Sequence, residues 1–325
     1  MRKALALITL FFFGLTCLLF SEEKKDQPST VASKSLNVSG YTQFQYSYWD
    51  TGANSFLIRR ARVTLAGEIL KNILYKIQVD AVKSPLLLDA QVEFKIIPQA
   101  ILKVGQFKVP FSLENLTSSS DLDTINRSQA EEKLCPGRDI GSQGRDIGAV
   151  LTGKFTRVEY TLGIFNGSGI NKTDNNDMKD VAARVILSPL DALSCGASFY
   201  KGKYSSSLDA PPVRRDRVGL ELYLHKGDLS LKGEYIFAKD DVISKSGWYL
   251  QAGYFFIPKK LQSVLKFDSY DKDRGMADDQ KDIITLGVNW FLSGKTKFQV
   301  NYEIYREESG KVSDQAVLAL FQAGF

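Results

Sequence analysis

From Leu36 to Phe325 the chain repeats one unit, a run of about ten residues in which apolar and polar side chains alternate, followed by a break. A period of two sends the two sets to opposite faces of a strand. In 214–226, Val218, Leu220, Leu222 and Leu224 alternate with Arg217, Gly219, Glu221 and Tyr223. In 281–292, Ile284, Leu286, Val288 and Trp290 alternate with Thr285, Gly287, Asn289 and Phe291. Sixteen runs are predicted, at 36–49, 55–69, 72–83, 86–96, 100–109, 144–155, 157–166, 178–188, 193–202, 214–226, 228–238, 246–257, 261–271, 281–292, 295–306 and 314–325.

Alternation alone suits a soluble sandwich as well as a barrel, so the breaks decide. Every second break is tiny, as at Leu70-Lys71, Thr156, Gly227 and Ser293-Gly294. The others are mostly longer and polar, at 167–177, 203–213, 239–245 and 272–280, with the longest at 110–143. Short turns at one end and longer loops at the other are the plan of a transmembrane barrel in an outer membrane. Two further signs agree. Trp248 and Phe256 share a face of one strand at a spacing suited to two aromatic girdles. The final run ends on Phe325 with Phe321 on the same face, a terminal aromatic of the kind read by outer-membrane assembly machinery. The expected fold is an all-β, antiparallel transmembrane barrel of about 16 strands, with 110–143 folded inward as a constriction loop. A mean hydropathy of −0.16 excludes a bundle of membrane helices and permits a barrel, because only alternate residues face lipid.

The start of the chain is read separately. Met1-Arg2-Lys3 and an apolar run from Ala4 to Phe20 form a secretory signal peptide at 1–21, as expected for export from a Gram-negative-type bacterium. Residues 22–35 form a polar, flexible periplasmic lead, and 36–325 the barrel domain.

Catalysis finds little support. The single histidine, His225, has no serine in a G-x-S-x-G setting to serve, and no Cys/His cluster has metal-ligand spacing. No enzyme activity, cofactor or metal is expected. Asp174-Asn175-Asn176-Asp177 reads as a solvated loop, and Cys135 and Cys195 as free thiols. A net charge of +5 is too weak to argue for nucleic acid.

Particular motifs add a family. FLIRRAR at 56–62, VGQFKVPFSLE at 104–114, Arg127, PGRDIG at 136–141, RDIGAVLTG at 145–153, GIFNGSGIN at 163–171 and KDVAARV at 179–185 resemble the phosphate-selective porin O and P family. That resemblance implies a 16-stranded homotrimeric channel in outer-membrane lipid, passing small hydrophilic solutes, with phosphate or other anions as the family's guide to substrate. The sequence departs from the pattern in carrying GRDIG twice, at 137–141 and 144–148, and in its short loops.

With the apolar set facing lipid, the polar set lines the lumen. Channel-lining and selectivity roles are expected of Arg59, Arg60, Arg62, Lys103, Arg184 and Arg217 on the wall, and of Arg127 and Arg138 at the narrowest passage. The constriction loop adds the acidic Glu114, Asp121 and Asp123. The bland alternative for the wall arginines is pairing to carboxylates across strands. Polar residues at outward positions, namely Gly40, Thr42, Gln106 and Lys108, are expected to be sheltered by a subunit interface. A barrel acting as receptor, adhesin or scaffold is the competing function.

Overall fold

The computed structural model describes residues 35–97, 99–207, 210–307 and 312–325. The expected leader at 1–21, and the expected lead up to residue 34, lie outside the described residues; Ser35 is already the first residue of a strand.

Sixteen strands form one closed antiparallel barrel in which each pairs with its neighbour in sequence and the last pairs with the first. They are β1 (Ser35–Trp49), β2 (Ser55–Leu70), β3 (Ile73–Asp80), β4 (Leu87–Ile97), β5 (Ala100–Lys108), β6 (Arg145–Phe155), β7 (Val158–Phe165) and β8 (Asp180–Leu190). The second half is β9 (Leu193–Tyr204), β10 (Val213–Lys226), β11 (Leu229–Asp240), β12 (Ile243–Ile257), β13 (Leu261–Asp271), β14 (Gln280–Ser293), β15 (Thr296–Glu307) and β16 (Val312–Gly324). Each expected run corresponds to one of these strands.

Burial is inverted relative to a water-soluble protein. Leu220, Leu286 and Trp290 are about half exposed, whereas their polar neighbours Asn289, Asn301 and Gln322 are fully buried. A closed sheet has one inside, so the alternation sorts the strands into an apolar outer face and a mostly polar inner one, with Ala316, Leu318 and Leu320 of β16 as an apolar patch on the inner side. The outer set then meets hydrocarbon, where a misplaced lysine or arginine at mid-depth costs about 2–4 kcal/mol.

Seven connections at one end are short turns, while the other end carries the longer segments, among them 166–179, 272–279 and 109–144. One expected loop is corrected. The break placed at 239–245 shrinks to Asp241-Val242, because its polar residues continue the ladder. Asp240 pairs with Lys245 at 2.7 Å, and Asp241 takes the positive φ of 50° that a tight turn demands.

Three of the four outward polar positions are corrected too. A side chain at Gly40 would run into the ring of Phe325, whose backbone exchanges two hydrogen bonds with Gly40. Gln106 is buried, donating to the Leu88 carbonyl at 2.9 Å and accepting from Asn171 N at 2.6 Å. Lys108 turns to the carbonyls of Asn115 and Thr117, at 2.5 and 2.8 Å. Thr42 is half-buried. Three of these positions are therefore satisfied within one chain, without a neighbouring subunit.

Candidate functional site

Segment 109–144 carries the only helical turns among the described residues, α1 (Leu113–Leu116) and α2 (Gln129–Leu134). Each begins on a serine whose hydroxyl accepts a backbone N–H, Ser112 from Asn115 and Ser128 from Glu131. The first backbone donors of α1, Leu113 N and Glu114 N, point at the carboxylate of Glu234 on β11, at 2.9 and 2.7 Å. Glu114 in turn accepts from both N and Oγ of Ser128, so one helical turn holds the start of the next. Glu131 is buried beside Arg138 and 3.5 Å from Arg127; burial outweighs these cations and pushes its carboxyl up to about 7. Burial also pushes the Cys135 thiol well up, leaving it protonated and inert.

The segment is joined to residues of the strands by two kinds of contact. Its Val109, Phe111, Ala130, Leu134 and Cys135 form an apolar cluster with Phe107, Val150, Phe165, Tyr200 and Ile236 of the barrel. Beyond that cluster it is held by polar bonds. Asp139 bridges Arg215 and Arg217 of β10 at 2.7 and 2.8 Å. Asp123 pairs with Lys232 at 2.6 Å, and its backbone carbonyl accepts from Asn289 at 2.8 Å. Asn301 accepts from Ile125 N at 2.7 Å. Lys266 and Lys297 donate to the carbonyls of Asn126 and Leu122 at 2.8 and 2.7 Å, and Gln322 reaches the Ser120 carbonyl.

Both copies of GRDIG are used, side by side. Gly137 and Gly144 sit at φ of 83° and 73°, and a Cβ on Gly137 would strike the backbone of Gly144 and Arg145. The first copy supplies Arg138 to Glu131 and Asp139 to β10. The second opens β6, with Arg145 on Asp89 at 2.6 Å and Asp146 accepting from Gly167 N at 2.7 Å.

The expected site residues part company here. Arg127 and Arg138 are buried inside the segment. Arg127 donates to the Glu114 and Thr117 carbonyls, and Arg138 pairs with Glu131 and Glu132. Both brace the segment, since each buried guanidinium is held by carbonyl or carboxylate oxygens of the segment itself. Arg217 is likewise enclosed by Asp139, Asp240 and the Leu134 carbonyl. Arg184 clamps Glu221 in two bonds, and Lys103 lies 3.0 Å from Glu93. Asp121 is exposed near Lys295, at the short-turn end.

Arg59, Arg60 and Arg62 come together. A β-bulge opposite Gln43 and Phe44 makes Arg59 an extra residue, turning adjacent arginines to one face. Arg62 is bound to Asp80 at 2.9 Å. Arg59 donates to Gln45 and Asn126, and Arg60 to Gln43, all neutral amides. Among the described residues neither forms an ion pair.

Sequence reasoning missed Arg145, Arg215, Asp139 and the amides Asn289, Asn301 and Gln322. The amides were visible in principle. The polar half of the last strands is rich in Asn and Gln, whereas β3–β8 carry lysine, arginine and carboxylate. Two neighbouring polar cavities of about 350 and 380 Å³ lie against β2–β5 and share Lys76, Gln91 and Glu93.

Comparison with known proteins closes the question of kinship. Over 278 residues the chain is 27% identical to an uncharacterized protein of Aquifex aeolicus (strain VF5), covering 72% of this chain and spanning 66% of that relative's length. The barrel superimposes on an anion-selective porin from Comamonas acidovorans with TM-score 0.69 at 14% identity, covering 90% of this chain and 99% of the other. OmpT, an outer membrane protein of Vibrio cholerae, gives TM-score 0.69 at 10% identity, over 91% of this chain and 100% of the other. The profile of the family described as phosphate-selective porin O and P matches residues 35–213 and 206–319, and the chain therefore belongs to that family of outer-membrane barrels.

Proposed function

We propose that this barrel is a passive, non-enzymatic channel for small hydrophilic solutes with a preference for anions. Segment 109–144 serves as its inward-folded constriction, as its bonds to wall residues of β10–β16 support. The observation that carries the anion preference is the pair Arg59 and Arg60, which donate to amide oxygens and form no ion pair among the described residues, Glu303 being joined to Arg59 only through Asn126. Uncompensated cations on a channel wall lower the barrier for anions, whereas a neutralised pair has little field to offer. Phosphate or another oxyanion matches the family and the forked geometry of arginine.

The test is a planar bilayer with a salt gradient. The wild-type protein gives a reversal potential of anion-preferring sign and a chloride current reduced by added phosphate. Arg59→Gln with Arg60→Gln moves the potential toward zero. A cation-preferring wild type, or a double variant indistinguishable from it, refutes the proposal. The same reading has the channel as a homotrimer in outer-membrane lipid, delivered by assembly machinery that reads Phe325.

A second reading has one observation in its favour. The apolar cluster between 109–144 and strands β5–β11 is packed as a core, which suits a plugged barrel acting as receptor or scaffold. A correctly inserted protein that passes no current would select it.

A further inference from the structure

Given the channel reading above, we infer that solutes cross off the barrel axis, through a polar groove along β2–β5, and that the groove narrows at Arg62 and Arg145, joined through Gln143. The route follows from where the segment leaves room. Its second arm is fixed near the loop end of β10 by Asp139, while Asp121 lies beside Lys295 in a short turn at the opposite end. The segment thus crosses the interior obliquely. On β14–β16 the inward side chains Thr285, Asn289, Asn301 and Gln322 are 0–1% exposed, leaving water no access to that wall.

Across the lumen the picture reverses. The side chains of Lys76, Glu93 and Lys103 are 36%, 23% and 26% exposed. The two cavities that share Lys76, Gln91 and Glu93 make one groove, reaching Ser35 and Glu68 toward the short turns and Ser118 and Arg145 at its other end. There the Arg62–Asp80 and Arg145–Asp89 pairs close in. Gln143 contacts both guanidiniums, accepting from Arg62 through its side chain at 3.4 Å and from Arg145 through its carbonyl at 3.2 Å. The upper cavity is lined by Arg62, Lys76, Lys103 and Arg145, each paired to a carboxylate of Asp80, Asp89 or Glu93, and by Lys108, which is bonded to loop carbonyls. Lys76 and Lys103 are its partly exposed cations, and with their partners Asp89 and Glu93 they offer a passing solute both signs of charge.

Cysteine accessibility in the conducting protein tests the route. Gln91→Cys places a thiol in the groove, and Thr285→Cys places one on the sealed wall with almost no change in volume. A negatively charged methanethiosulfonate reduces current through Gln91→Cys by about twofold or more and leaves Thr285→Cys and the wild type unchanged. The wild type is a suitable blank because Cys135 is buried and Cys195 lies in register with the outward Leu187 and Leu222. Current unaffected in Gln91→Cys, or equal block in both variants, overturns the inference; absence of any current refutes the channel reading itself. Gln143→Gly tests the narrowing. Its φ of 54° suits glycine, so the fold is kept while the bridging side chain is lost. Conductance rises if Gln143 borders the route, and unchanged conductance refutes that location.

Discussion

The inner walls of β14–β16 and of β3–β5 have the same architecture and opposite chemistry. The first presents buried amides and a threonine, Thr285, Asn289, Asn301 and Gln322, much of it bonded to the backbone of segment 109–144. The second presents Lys76, Asp89, Glu93 and Lys103, paired with one another and in part open to water. The difference follows from desolvation. An amide offers both donor and acceptor and carries no charge, so it can be buried against a peptide backbone at small cost. A lysine or carboxylate buried there needs a matched partner or it shifts to its neutral form. Lys266, Lys297 and Glu303 are buried without an ion pair among the described residues, the lysines ending on backbone carbonyls and Glu303 accepting from Asn126 and Tyr305. On these two walls, the amides lie where the protein touches itself and the partly exposed charge pairs where it meets water.

The comparison breaks most readily at the anchor of the sealed side. Asp139→Ala leaves Arg215 and Arg217 without their shared carboxylate, at an expected cost of about 3–5 kcal/mol. Limited proteolysis of the purified trimer or monomer should then cut within 109–144, and open-channel current noise should rise. Resistance equal to that of the wild type would show that the apolar cluster alone holds the segment.

A smaller effect sharpens the contrast between walls. Asn301→Leu strands the Ile125 N–H and should cost about 1–3 kcal/mol in urea unfolding from lipid vesicles. Gln91→Leu, on the open wall, should stay within about 0.5 kcal/mol of the wild type. Equal losses would remove the distinction between the two walls.

The smallest effect concerns pH. The Glu131 carboxyl is raised from its ordinary 4.5 to about 7, so its protonated form is the one that packing favours. Its contribution is fully present below about 4.5 and is lost as pH rises through about 7. Protease resistance of 109–144 should therefore decline between those values in the wild type. Glu131→Gln should flatten the profile, and an unchanged slope would assign it to another group.

Much of this was legible in the sequence. The dyad and the alternation of breaks gave sixteen strands, because lipid on one side and polar groups on the other leave little latitude in register. The destinations of the charges could not be read. Arg127, Arg138 and Arg217 look like channel cations in a list of lumen-facing residues. Their partners Glu131 and Asp139 sit in a segment without periodicity, so nothing local assigns them. The bulge that brings Arg59 beside Arg60 is equally silent, because one extra residue leaves the apolar pattern on either side intact.

The pairing of β1 with β16 ties Tyr41 to Gly324 and Trp49 to Ala316, partners that stand at opposite extremes of the described chain. The loop-closure entropy of that junction must be met before the ring gains its last ladder. Closure is therefore the step expected to come last, and a half-zipped cylinder would show two raw margins to its surroundings. A substitution at Gly40 that kept Phe325 from seating would act first on the rate of closure and only afterwards on the finished channel.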